Sequence, residues 1–177
     1  MQVHIKLTSK SVKFLEYIRP NGIRIKKEDE IGMQLLAYMK YPERYDEREH
    51  PELIYKYIVR IPDAMWYQFR LKRVGENFID SSFENYVRKQ FYQFFFNYMN
   101  FKILDKIVKR NRNFQIKLLI ADFMKELSLS DNEISLETLI RNYHRYRANP
   151  DVMINSFIDF IRDEYSKEEL DEPIIAY

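Results

Sequence analysis

Apolar and polar residues alternate at the start of this chain. Val3, Ile5 and Leu7 are separated by His4 and Lys6, the two-residue period of a strand with one buried face. The period then lengthens. Val12, Leu15 and Ile18 fall at helical spacing, and Thr8 or Ser9 can cap a helix over about 9–19. Pro20-Asn21-Gly22 is a turn signal. Ile31, Leu35, Tyr38 and Met39 mark a second helix over about 28–40, with Glu28, Asp29 and Glu30 at the end that favours negative charge. Residues 41–54, YPERYDEREHPELI, carry two prolines and many charges and read as a linker.

Strand character returns at Lys56-Tyr57-Ile58-Val59-Arg60-Ile61, a β-branched and aromatic run suited to a half-buried pleat. Pro62 can open a helix, where no N–H is needed. Met65, Trp66 and Phe69 follow at helical spacing, and Gly75 can close that helix with positive φ. A long helical run begins near Ser81, with Phe83, Tyr86, Val87, Phe91, Phe94 and Phe95 on its apolar side. It continues through Val108 without Gly or Pro. Its segment FYQFFFNYMNF is apolar almost all round, which predicts burial on several sides. The pattern leaves open a break near Asn97 or Asn100. Further helices are expected at about 114–127, 135–147 and 151–165. Ser130 and Glu133 have capping-box spacing, and Ser135 and Asp151 are also good N-caps.

The order strand, helix, turn, helix therefore occurs twice. Lys6 falls opposite Arg60 with an offset of 54, and Gly22 opposite Gly75 with an offset of 53. This order resembles the ribbon–helix–helix family of DNA-binding proteins, the Arc/MetJ type. The residues that carry the likeness are YIVRIP, the helix after it, Gly75 and the Asp80-Ser81-Ser82 helix start. The resemblance implies a mainly α fold with a short two-stranded antiparallel β-ribbon. A tandem ribbon–helix–helix module would occupy residues 1–100, with copies 1–40 and 55–100 around the linker. A helical bundle would follow at 101–165, then an acidic tail at 166–177. The plainer alternative is two unrelated strand–helix–helix pieces in an α+β domain.

In that family the ribbon enters the DNA major groove. The resemblance thus implies sequence-specific binding of double-stranded DNA, as a transcriptional repressor or a mobile-DNA accessory protein. Outward ribbon residues Gln2, His4, Lys6, Lys56, Ile58 and Arg60 would face the bases. Lys26, Lys27, Ser81 and Ser82 would lie near the phosphates. Ile58 departs from the family's polar pattern at that face and could meet a thymine methyl. The competing expectation is a non-enzymatic helical interaction or structural protein, for example one encoded by a phage. Self-association or a protein partner would then use the aromatic helix and the C-terminal helices.

Charge sharpens this picture. The net charge of +2 conceals a division. Residues 1–40 hold eight Lys/Arg against four Asp/Glu (+4), and residues 55–113 hold twelve against five (+7). The linker, residues 114–165 and the tail are each −3. The basic parts coincide with the two repeats, where phosphate neutralisation would need them. The cluster Lys109-Arg110-Asn111-Arg112-Asn113 suits a helix C-terminus or a phosphate contact equally. Residues 114–127 and 135–147 could form a helix-turn-helix with Arg141, His144, Arg145 and Arg147 outward. The long separation and acidic balance favour a bundle instead.

Composition excludes several classes. With 46% hydrophobic and 16% aromatic residues, 177 residues can build a packed core. The chain has no cysteine, which rules out disulfides and thiolate metal sites and fits a cytoplasmic setting. No signal-peptide core and no apolar run of about 18 residues occurs, so no membrane association is expected. There is no Gly-rich phosphate loop, nucleophile elbow or paired-His motif. The histidines stand apart at 4, 50 and 144, and His50 among Glu47, Glu49 and Glu52 reads as charged linker. Hence no catalytic residue, metal ligand or cofactor is expected.

Overall fold

The computed structural model describes residues 2–25, 30–40, 51–62, 76–109 and 114–149. Among them run β1 (Gln2–Leu7), α1 (Ser9–Ile18), β2 (Ile23–Arg24), α2 (Glu30–Lys40), β3 (Tyr55–Arg60), α3 (Glu76–Val108), α4 (Ile116–Glu126) and α5 (Leu136–Arg147). The protein is mainly helical with one small sheet. It divides into two compact units, Met1–Phe91 and Tyr92–Tyr177, with the boundary inside α3. The expected helix after Pro62, with Met65, Trp66, Phe69 and Gly75, lies outside the described residues. So do Lys26, Lys27, His50, Arg110–Asn113 and everything from Pro150 onward.

In the first unit β1 and β3 pair antiparallel, from Gln2 opposite Arg60 to Leu7 opposite Tyr55. This is the antiparallel pairing that the ribbon–helix–helix resemblance implies, and the buried faces are those the alternation predicts. Ile5, Leu7, Tyr57, Val59 and Ile61 are buried, and Gln2, His4, Lys6, Lys56, Ile58 and Arg60 are exposed. The side chain of Val3 is outside the described set. The sheet corrects one expectation: it has three strands, in the order β1-β3-β2, with β2 parallel to β3. Ile23 and Ile25 supply the buried side of β2, and Arg24 stays outside. Gly22 makes this possible. Its φ is +78°, and a Cβ there would stand 2.8 Å from the Ile58 carbonyl oxygen. Only glycine suits both that conformation and that approach.

α1 packs against β3, with Phe14 and Leu15 buried. Thr8 caps α1 by accepting from the Ser11 N–H at 3.3 Å. At the other end the Tyr57 hydroxyl donates to the Arg19 carbonyl at 2.8 Å, joining the Gly22 N–H (2.9 Å) on a group the helix leaves unpaired. α3 adds Phe83, Val87 and Phe91, all buried, and Phe91 meets Phe14 edge-on at 5.6 Å. Each such side chain contributes roughly 1.5–3 kcal/mol on burial. Two carboxylates of α3 serve the β1–α1 junction. Asp80 accepts from the Lys6 N–H at 3.1 Å. Glu84 accepts from the Thr8 N–H (3.0 Å), the Thr8 hydroxyl (2.9 Å) and the Ser11 hydroxyl (2.7 Å).

In the second unit α3 runs unbroken past Asn97 and Asn100. Phe95, Met99 and Ile103 are buried there, as are Ile120, Phe123, Leu139 and Tyr143 of α4 and α5. Phe123 lies 4.9 Å from Phe95 and 5.1 Å from Tyr98 between ring centres. α4 ends on Ser128, whose φ of 53° is left-handed. The Ser128 and Leu129 N–H groups return to the Lys125 and Met124 carbonyls, a Schellman closure made without glycine. Ser130 and Glu133 do bond, at 2.8 Å from the Ser130 N–H, but they close a turn ahead of α5. The N-cap of α5 is Ser135, which accepts from the Thr138 N–H at 3.2 Å.

Candidate nucleic-acid interface

The exposed face of the sheet is built from strands that contain no Asp or Glu: QVHIKL, IR and YKYIVR. Alternation sends every charged residue of these strands to one side, because the other side is filled by Ile, Leu, Tyr and Val. Register then sets the cations against one another. Lys6 stands directly opposite Lys56, and Arg60 directly opposite Arg24. Directly opposed side chains lie about 4.5–5.5 Å apart at Cβ, so like charges here repel. In water that repulsion is about 1 kcal/mol or less per pair. The fold bears it easily, and an anion laid across the face would reverse its sign. Among the described residues no carboxylate pairs with Lys6, Arg24, Lys56 or Arg60.

His4 and Ile58 form the central opposed pair of the face, and Gln2 lies opposite Arg60. Ile58 is 39% exposed, a bare apolar spot among the cations. The expected face residues Gln2, His4, Lys6, Lys56, Ile58 and Arg60 are thus brought together. Arg24 joins them and was not expected. The alternation Ile23-Arg24-Ile25 carried its signal, but two residues are too short a run to read as a strand.

The remaining expected residues stand elsewhere. α3 begins at Glu76, five residues before the Ser81 expected from sequence. Ser81 and Ser82 therefore lie inside the helix, away from the free N–H groups of its first turn, and Ser81 is buried. Lys26 and Lys27 are outside the described residues. No group of three metal-ligating side chains gathers among the described residues. No helix among them is long and apolar enough to cross a membrane.

On α5, Arg141, His144 and Arg145 are exposed, and Arg147 is half-buried. α4 ends at Glu126 and α5 begins at Leu136, so nine residues (127–135) separate them. That is long for a helix-turn-helix, whose turn takes three or four residues. Comparison with protein-family models, curated proteins and solved structures gives no match to this chain.

Proposed function

We propose that this protein binds double-stranded DNA through the exposed face of its sheet, as a transcriptional repressor or an accessory protein in handling mobile DNA. The observation that supports this reading best is a sheet face whose strands carry four cations and no carboxylate, with like charges in direct opposition. The major groove is about 12 Å wide and admits a two-stranded ribbon. The end of the sheet bearing Lys6 and Lys56 is two-stranded and fits that opening. At the other end β2 widens the sheet to about 10 Å between outer strands. Arg24 there is suited to a phosphate at the groove edge, and Arg60, beside it, to the edge of a guanine. Ile58 offers a surface for a thymine methyl. Lys26 and Lys27 follow Arg24 in sequence and are assigned to phosphates.

The register also supports a tandem ribbon–helix–helix origin. Under the sequence offset of 54, His4 corresponds to Ile58, and these two are paired in the sheet. Lys6 then corresponds to Arg60, and each stands two positions beyond the centre. A ribbon made from two equivalent halves has this centring. β2 is an addition to the family's pattern, as is the 33-residue length of α3.

A second reading, a protein partner for the helical part, is favoured by exposed apolar residues. Phe101 is 68% exposed and Val108 76%, two turns apart on α3, and Leu118 of α4 is 59% exposed. Retention on heparin at low salt followed by elution with duplex DNA separates the two readings. Once a preferred site is selected from random duplexes, Arg60→Ala should weaken it by about 1–3 kcal/mol and relax the preference there. Equal binding of all duplexes by the parent and by Arg60→Ala would remove the sheet as the reading element.

A further inference from the structure

A second site stands in the helical unit, independent of the sheet face. Tyr92 and Phe96 of α3 and Asn142, Arg145 and Tyr146 of α5 line an open cleft of about 380 Å³. One wall is a ladder of rings. Phe96 and Tyr146 stack face to face, with centres 4.1 Å apart and planes 4° apart, and Tyr92 stacks on Phe96 at 6.2 Å. Hydrogen bonds hold the outer two rings in place. Asn142 donates its amide to the Tyr92 hydroxyl at 3.2 Å, and the buried Asn100 donates to the Tyr146 hydroxyl at 2.8 Å. The rings are therefore oriented before any ligand arrives, so little ordering is left to oppose binding.

The lip of the cleft is cationic. Arg145 is exposed, and Arg141, one helical turn earlier, is exposed beside it. Like charges at that spacing repel, and an anion between them removes the repulsion. Among the described residues no carboxylate lines the cleft. A ligand that answers both features is flat, to extend the ring ladder, and negatively charged, to meet the arginines. The volume is near the lower end for small-molecule sites, enough for one nucleotide. The openness of the cleft suits a group that enters from outside while tethered to a chain.

We infer that this cleft holds a single unstacked nucleotide, its base laid on the Tyr92–Phe96–Tyr146 ladder and its phosphate beside Arg145. A nucleotide within a single strand and a free nucleotide share this chemistry. Stacking of a base on an aromatic ring is tolerant of base identity, because every base has a π-face. The site would thus accept a flanking or displaced strand without reading its sequence.

The test uses the full chain carrying Arg60→Ala, which weakens the sheet face and leaves the cleft untouched. It is titrated with labelled single-stranded octathymidylate, an abasic octamer of equal charge, thymidine monophosphate and inorganic phosphate. The base-bearing octamer should bind at least about tenfold more tightly than the abasic one, within the range of one base–aromatic stack. Arg145→Glu should weaken it by about tenfold or more while the melting curve is unchanged. An iodouracil-substituted strand should crosslink to peptides containing Tyr92, Phe96 or Tyr146. Thymidine monophosphate binding as well as the octamer makes the free nucleotide the natural source; much weaker binding makes it the strand. Equal affinity for the two octamers, indifference to Arg145→Glu, or crosslinks confined to Gln2–Arg60 would overturn the assignment. These outcomes are separate from duplex binding by the sheet, so either site can fail alone.

Discussion

The two units handle polar groups in opposite ways. In the first, two carboxylates of α3 are drawn inward. Asp80 and Glu84 are spent on backbone and hydroxyl groups at the β1–α1 junction, and the cations of the sheet face are left without acidic neighbours in their own strands. In the second, cation and carboxylate share the surface, as in Lys109 and Asp105 at 2.8 Å one turn apart on α3. There the Lys109 hydrogen bond holds the Asp105 carboxyl below its ordinary range. The difference separates an ion-paired patch of helix surface from a sheet face whose cations stand opposite one another. Within the second unit aromatic residues have two uses, as a sealed core around Phe123 and as a ladder open on one side at Tyr146.

Removing core from the second unit should have the largest effect. Phe95→Ala leaves a hole beside Phe123 and Tyr143 and should cost about 3–5 kcal/mol in denaturant unfolding. Lys56→Gln on the sheet face should stay within about 0.5 kcal/mol of the parent. A large cost at Lys56 would mean that the face is structural and the contrast false.

Next in size is the inward carboxylate. Glu84→Ala strands the Thr8 and Ser11 hydroxyls, Ser11 being fully buried, and should cost about 1.5–3 kcal/mol. Loss below about 0.5 kcal/mol would show that water replaces the carboxylate and that the junction does not depend on it.

Tyr57→Phe should cost about 1 kcal/mol, the worth of its bond to the Arg19 carbonyl. It also gives a pH test. Burial first, then the Glu16 charge, pushes the Tyr57 phenol from 10.0 up to about 12, with Arg19 opposing. The folded state therefore holds the proton more tightly than the unfolded chain. The stability this provides is whole below pH 10 and is lost as pH rises towards 12. Tyr143 in the second unit is likewise raised to about 12 by burial. Each Tyr→Phe change should remove its own share of the alkaline loss, read as a flatter stability curve between pH 10 and 12. An unchanged curve in both variants would place the titration elsewhere.

The smallest effect is a gain. Ser128 is held at positive φ, which costs an L-residue about 1–2 kcal/mol, whereas glycine loses about 0.5–1 kcal/mol in chain entropy. Ser128→Gly should stabilise the second unit by about 0.5 kcal/mol. A loss instead would show that the serine hydroxyl compensates for the strain.

What the sequence made legible follows from periodicity. Two-residue alternation revealed β1, β3 and the face each buries. Helical spacing with Thr8 and Ser135 as caps placed α1 and α5 within a residue or two of their ends. Features that rest on distant partners were not legible. β2 is too short to show a period, and its parallel seat on β3 depends on Gly22 meeting the Ile58 carbonyl. The start of α3 was misplaced because Asp80 and Ser81 look like cap residues, while Asp80 in fact reaches across to the Lys6 N–H. Tyr92 and Phe96 at i and i+4 are visible as an aromatic pair. Tyr146, which completes their ladder, comes from fifty residues further on.

The salt dependence of duplex binding tests the sheet face most directly. Affinity for a duplex is measured across a salt series for the parent and for a variant carrying Lys6→Gln, Arg24→Gln, Lys56→Gln and Arg60→Gln together. Each cation that neutralises a phosphate contributes about 0.9 to the slope of log affinity against log salt. Phosphate binding by the face predicts a slope shallower by about two to four units in the variant, with an unchanged melting curve. Superimposable lines for the two proteins would contradict it.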